Sequence, residues 1–316
     1  SLMDLRPWDL WTHDGKPQPG TEEIIAVLER VLAAHPDHPG ANHYYIHAVE
    51  ASPSPERGLA AAGRLPSLMP GAGHIVHMPS HIYVRTGRYE DAAEANRRAI
   101  HEDQTYLSLL ARRESPAPML YGMYIAHNYQ FLSYAAMMEG RSDEACRAAR
   151  DMVAVGSEDL LKAMPEFDGI LAMPIIMDAK FGRWDKVLAA RPMPEGMAFP
   201  EAMRHYARGL AQAAKKDPGE ASKELAAVDA ALAATPEDAK KFLNLSRLLL
   251  GIARDVLAGQ VALSTGNADE GLRLLAKAVA AEDTVGYDEP PDWYTPTRHA
   301  LGAALLAGVR LSGLRG

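Results

Sequence analysis

The chain has 316 residues, 47% hydrophobic and 23% charged, enough for one large solenoid or two ordinary globular domains around a continuous core. Its formal net charge is −8, and its densest basic spots are only the pairs Arg97-Arg98, Arg112-Arg113 and Lys215-Lys216, which argues against sequence-independent binding of nucleic acid. A single cysteine, Cys146, excludes an internal disulfide and thiolate zinc chemistry, and no apolar run is long enough for a membrane span.

No signal peptide stands at the start, so a soluble, cytoplasmic protein is expected. Ser1 precedes Leu2-Met3-Asp4 without an initiator methionine, and the natural N-terminus is expected to lie upstream. Residues 8–20 read as an irregular arm broken by Gly and Pro, in which Trp8 and Trp11 each need a packing partner. Thr21-Glu22-Glu23 starts a helix with apolar Ile24, Val27, Leu28, Val31 and Leu32 on one face, ended by Pro36 and Pro39. Residues 1–39 are therefore an N-terminal arm and first helix.

From residue 40 to 316 the pattern is helix after helix, with no sustained alternation and no Asn-Gly hairpin turn. Short breaks recur at Gly87-Arg88, Gly140-Arg141, Gly182-Arg183 and Gly266-Asn267. Ser115-Pro116-Ala117-Pro118 reads as a loop, and Arg191-Pro192-Met193-Pro194-Glu195-Gly196 as another break. Pro174 reads as a kink tolerated within a helix, and Cys146, in an alanine-rich helix, as a buried inert thiol.

Histidines concentrate between Asn42 and Arg88. His43/His47 and His77/His81 are each i,i+4 pairs, which a helix places on one face, and the second pair follows the first by 34 residues. Pro79 sits inside the second pair. It predicts either a kinked helix or a helix that begins at Pro79 and leaves His74 and His77 in the preceding loop. No phosphate-cradling Gly loop, no Gly-x-Ser-x-Gly elbow and no His-Glu-x-x-His is present, so the protease comparison for His43, His47 and Glu50 is poor.

These segments resemble the tetratricopeptide repeat (TPR) family, whose period is 34 residues. The small residue, glycine, aromatic residue and two alanines that mark such a repeat are matched by Ser80, Gly87, Tyr89, Ala92 and Ala99, and in part by Ser133, Gly140 and Ala145. The run around Asn42–Glu50, that around Gly73–Tyr89 and the closing Asp288–Tyr294 are also similar to a group of longer bacterial TPR proteins without an assigned activity. The resemblance implies an all-α, right-handed superhelical solenoid of about six to seven helix-turn-helix units. Its histidine-rich repeats span 40–140 and weaker repeats span 141–316.

That resemblance also implies a concave groove lined by the first helix of each unit. On it fall His43, His47 and Glu50 in the first unit, His74, His77 and His81 in the second, and His127, Gln130 and Tyr134 in the third. Four imidazoles at i,i+4 on adjacent helices can converge on one ion. The expected ligands are His43, His47, His77 and His81, followed by His74, His127 and Glu50. Such a shell suits Zn, Cu, Fe or Ni and not Mg or Ca, and it permits metal-assisted hydrolysis or oxidation without requiring either. Gln130, Tyr134, Tyr44, Tyr83 and Asn128 are candidates to contact a small-molecule, peptide or protein ligand in the groove. Asp288, Glu289, Asp292, Arg298 and His299 line its far end or, better, cap the C-terminus. Two other readings stay open: a metal-free TPR scaffold that binds a peptide or protein, and a site completed by an upstream segment.

Overall fold

The computed structural model describes residue 3 and residues 8–115, 121–155, 161, 164–241 and 244–313. All of the loop expected at 115–118 except Ser115 lies outside them. The fold is all-α. Among the described residues the only named strands are Lys240–Lys241 and Asn244–Leu245, paired antiparallel, and no helix is long and apolar enough to cross a membrane. The chain divides into two compact units, Ser1–Ser157 with Tyr287–Pro290, and Glu158–Gly286 with Pro291–Gly316.

In unit 1 the helices are α1 Thr21–Ala34, α2 Pro39–Glu50, α3 Leu59–Leu68, α4 Gly73–His77, α5 Pro79–Arg85, α6 Tyr89–Arg112, α7 Tyr121–Met138 and α8 Ser142–Val155. Ile25, Ile46, Val49, Ala62, Leu65, Met78 and Ile82 form the core under α1–α5. The two tryptophans of the arm are buried to different extents. Trp11 donates its indole N–H to the Ala48 carbonyl at 2.8 Å, whereas Trp8 is 47% exposed.

Unit 2 contains α9 Met173–Lys180, α10 Trp184–Leu188, α11 Ala198–Ala214, α12 Pro218–Ala234, α13 Ser246–Ser264, α14 Ala268–Glu282 and α15 Thr297–Gly313. Leu249, Ile252, Leu257 and Leu275 are buried in its core. Pro174 makes no kink. It lies in the first turn of α9, where its missing N–H costs no helical hydrogen bond.

One closure recurs between helices. Gly87, Gly140, Gly182 and Gly266 have φ of 74°, 75°, 67° and 85°. The N–H of the following residue reaches back along the ending helix: Arg88 to the Tyr83 carbonyl at 2.8 Å, and Arg141 to Ala136, Arg183 to Asp178 and Asn267 to Ala262 at 2.9 Å. This Schellman closure satisfies helix-end carbonyls and favours glycine at the left-handed position. Lys216 makes the same turn with φ 62°, and Pro218 then opens α12. A lysine there gives no turn signature in sequence. The helices so joined pack as hairpins, α7 on α8, α11 on α12 and α13 on α14.

Candidate metal centre

Three helical segments and one returning loop of unit 1 build the site. α2 begins at Pro39, with the His38 ring accepting the Ala41 N–H at 3.2 Å. Its buried face carries Tyr45, Ile46 and Val49, so His43, His47 and Glu50 share another face. At Pro79 the helix is interrupted without turning into a loop. Met78 keeps helical angles (φ −49°, ψ −35°), so His77 and His81 preserve their i,i+4 relation across the break between α4 and α5. α7 supplies His127 and Phe131, and the Phe131 ring lies 4.8, 4.7 and 5.0 Å from those of His77, His81 and His127.

Six imidazoles and two carboxylates come together here. His43, His47 and His74 each bring one nitrogen within 4.8 Å of the others, as do His77, His81 and His127, and a third set comprises His47, Glu50, His81 and Glu289. The first triad is partly exposed, while His77 and His81 are buried. Between the triads, the His47 and His81 rings lie 5.2 Å apart.

Proton positions follow from the hydrogen bonds. The Asn96 Nδ2 group donates to the Ala92 carbonyl at 2.7 Å, which leaves Oδ1 facing His77 Nδ1 at 2.7 Å. An amide oxygen only accepts, so His77 carries its proton on Nδ1. His81 Nδ1 likewise donates to Glu50 Oε2 at 2.6 Å. With both protons so placed, the two Nε2 lone pairs face each other at 2.7 Å. Lone pairs at that distance repel, and a cation between them, proton or metal, removes the repulsion.

Around this pair the polar atoms are incompletely satisfied. His74 Nε2 lies 3.2 Å from His43 Nε2, and His74 Nδ1 is buried without a partner. Glu289 Oε2 approaches His81 Nδ1 to 2.5 Å, but the single Nδ1 proton goes to Glu50, and Glu289 Oε2 has no hydrogen bond. Glu50 is fully used: Oε1 accepts from His47 Nδ1 at 2.6 Å, and Oε2 also accepts from the Tyr287 hydroxyl at 2.8 Å.

Burial dominates the electrostatics. It lowers His43 to about 4, His74 to about 2 and His127 to about 3, and it holds His77 well below the usual imidazole value, with neighbouring imidazoles pushing the same way. For His81 burial also opposes charge, but Glu289 and Glu50 outweigh it and push the ring up to about 10. Burial likewise opposes the charge of Glu50, yet His81 and His47 hold that carboxyl well below its usual range. Glu289 is raised, by burial first and then by the charge of Glu50. His43, His74, His77 and His127 are thus neutral imidazoles, while His81 in the metal-free protein is charged and donates its second proton, on Nε2, to the His77 Nε2 lone pair.

These residues fit a transition-metal ion. Two nitrogens sharing a tetrahedral ion at about 2.0–2.1 Å sit about 3.3 Å apart. The His43–His74 separation of 3.2 Å has that size, and the His77–His81 pair needs to open by roughly half an ångström. Asn96 behind His77 and Glu50 behind His47 and His81 are the partners that orient metal-binding histidines and fix their tautomers.

The structure thus regroups the four histidines expected to share one ion. His43 and His47 join His74, and His77 and His81 join His127. Gln130 bonds to His127, Tyr44 lies beside His43 with its ring 5.2 Å away, and Tyr134 is buried in α7. Two other candidates are engaged elsewhere: Tyr83 carries the Arg88 guanidinium at 4.6 Å, and Asn128 donates to Asp103 at 2.7 Å. Glu289, expected at the groove's far end or in a C-terminal cap, instead meets His81. Tyr287 and Asn96 escaped sequence reasoning. Nothing local marks Tyr287, whereas an asparagine inside the alanine-rich α6 was a usable signal. No protein-family model matches this chain, and no match was found among curated proteins.

Proposed function

We propose that unit 1 is a transition-metal-binding module that holds two ions in adjoining histidine triads, His43/His47/His74 and His77/His81/His127. The observation that carries this reading is the pair of inward Nε2 atoms of His77 and His81, 2.7 Å apart, with both Nδ1 atoms committed to Asn96 and Glu50, so that a proton between them holds the place an ion would take. Neutral nitrogen donors select Zn, Cu, Fe or Ni over Mg or Ca. An ion bound by three histidines keeps a coordination position open and supplies a Lewis acid or redox centre, the requirement for hydrolysis or oxidation. Glu50 holds the protons on His47 and His81, Tyr287 donates to Glu50, and the partly exposed outer triad is the side open to solvent. The glycine-closed helix hairpins support a TPR-type architecture for this module.

Elemental analysis of protein purified without chelator tests the proposal. About two equivalents of metal are expected. His74→Ala should remove the outer ion and spare the inner one, and His77→Ala the reverse. Failure of the folded protein to retain or take up any of the four metals would refute it.

A further inference from the structure

Unit 2 contains a cleft of about 650 Å³, within the size range of small-molecule sites. Leu210, Val256 and Leu263 give it apolar walls, and Trp184 and Trp293 flank them. Acidic residues outnumber basic ones 41 to 33 in this chain, yet no Asp or Glu lines the cleft, whose charged groups are Lys180 and Lys216.

Lys180 carries the charge in an unusual setting. Its ammonium donates to His299 Nδ1 at 2.9 Å, and among the described residues no carboxylate pairs with it. The Glu282 carboxylate, whose charge acts on His299, accepts on Oε2 from both the backbone N–H and the hydroxyl of Thr297. Partial burial lowers the Lys180 ammonium below its usual range. In the lining of the same cleft, Trp293 is 4% exposed and its indole N–H has no acceptor. A buried donor left unmatched is costly, and a ligand acceptor would satisfy it.

We propose that this cleft binds a small amphipathic carboxylic acid, with its carboxylate on Lys180 and the Trp293 indole N–H and its apolar body against Leu210, Val256 and Leu263. Lys180 and Trp293 each offer a single-point donor to an anionic oxygen. No arginine lines the cleft to supply the forked contact common in phosphate sites. The apolar walls require a hydrocarbon or aryl body, which distinguishes this ligand from acetate or an amino acid.

The test titrates octanoate into the full chain, followed by calorimetry and tryptophan fluorescence, with octan-1-ol and octylamine as comparators of equal length. Saturable octanoate binding is expected, with octylamine about tenfold weaker or more. Lys180→Met, which keeps the side-chain length and removes the charge, should weaken octanoate about tenfold and leave octan-1-ol unchanged. Trp293→Phe should weaken octanoate several-fold with the helical circular dichroism preserved. If Lys180→Met perturbs folding, Lys180→Gln takes its place. Absence of saturable octanoate binding up to about 1 mM, or binding that the folded Lys180 variant leaves unchanged, would overturn the proposal.

Discussion

Gly73 and Asp103 meet with no room for a side chain between them: a Cβ on Gly73 would sit 2.0 Å from Oδ1 of Asp103. That carboxylate cannot easily retreat, because Tyr121 donates to it at 2.6 Å and Asn128 at 2.7 Å. Gly73 opens α4, which carries His74 and His77. The contact with α6 therefore sets where two histidines of the proposed metal centre stand.

Gly73→Ala is accordingly expected to destabilise unit 1 by about 1–3 kcal/mol, the usual cost of overpacking, and to weaken metal retention. Gly63 lies within α3 with nothing within 4 Å of its would-be Cβ. Gly63→Ala should therefore stabilise by about 0.5–1 kcal/mol through helix propensity. Urea unfolding of the two variants checks the contrast, and a destabilised Gly63→Ala would contradict the packing described.

Glu50 and Asn96 hold the rings of three of the proposed metal ligands. Glu50→Gln keeps the shape but removes the charge that orients His47 and His81, and Asn96→Leu removes the acceptor behind His77. Each should lower metal affinity by about 10–100-fold, the usual effect of losing such a partner. Competition against a chromogenic chelator measures it. Unchanged affinity in both variants would mean that the rings need no such support.

The metal-free protein should have a stability maximum close to the ordinary imidazole value of 6.5. Although burial opposes it, His81 is raised to about 10 by Glu289 and Glu50, so its contribution is whole below 6.5 and is lost as pH rises toward 10. Burial depresses His43, His74 and His127 to about 4, 2 and 3. Their contribution is whole above 6.5 and is lost as pH falls toward those values. The acid side should be steeper, because His77, also held low by burial, acts there with these three. Urea midpoints taken from about pH 4 to about pH 10 with chelator present will show this. A midpoint that climbs steadily to about pH 9 would contradict it.

Cys146 offers a readout of the same unit. It is fully buried in α8, so a thiol reagent can reach it only when the structure opens. Labelling should be slow in the native protein and fast in denaturant. Saturating zinc should slow native labelling by about tenfold or more, because an ion that binds only the folded state stabilises it. Equal native and denatured rates would show the thiol to be accessible.

The local features of this protein are written locally. Apolar spacing at Ile24, Val27, Leu28 and Val31 marks α1, and a glycine followed by a polar residue marks four helix ends, because a left-handed closure favours glycine. The i,i+4 rule alone puts His43 with His47 and His77 with His81. Lys216 escaped because its turn has no residue-type signature.

The grouping of ligands was decided by packing. α2, α4, α5 and α7 meet so that His74 reaches His43 and His127 reaches His77, pairs separated by tens of residues. Glu289 and Tyr287 reach the cluster from beyond the whole of α9–α14. No periodicity in a sequence encodes such contacts, because periodicity reports one element's face. Which faces meet, and which proton each ring then carries, depends on the burial of all of them together.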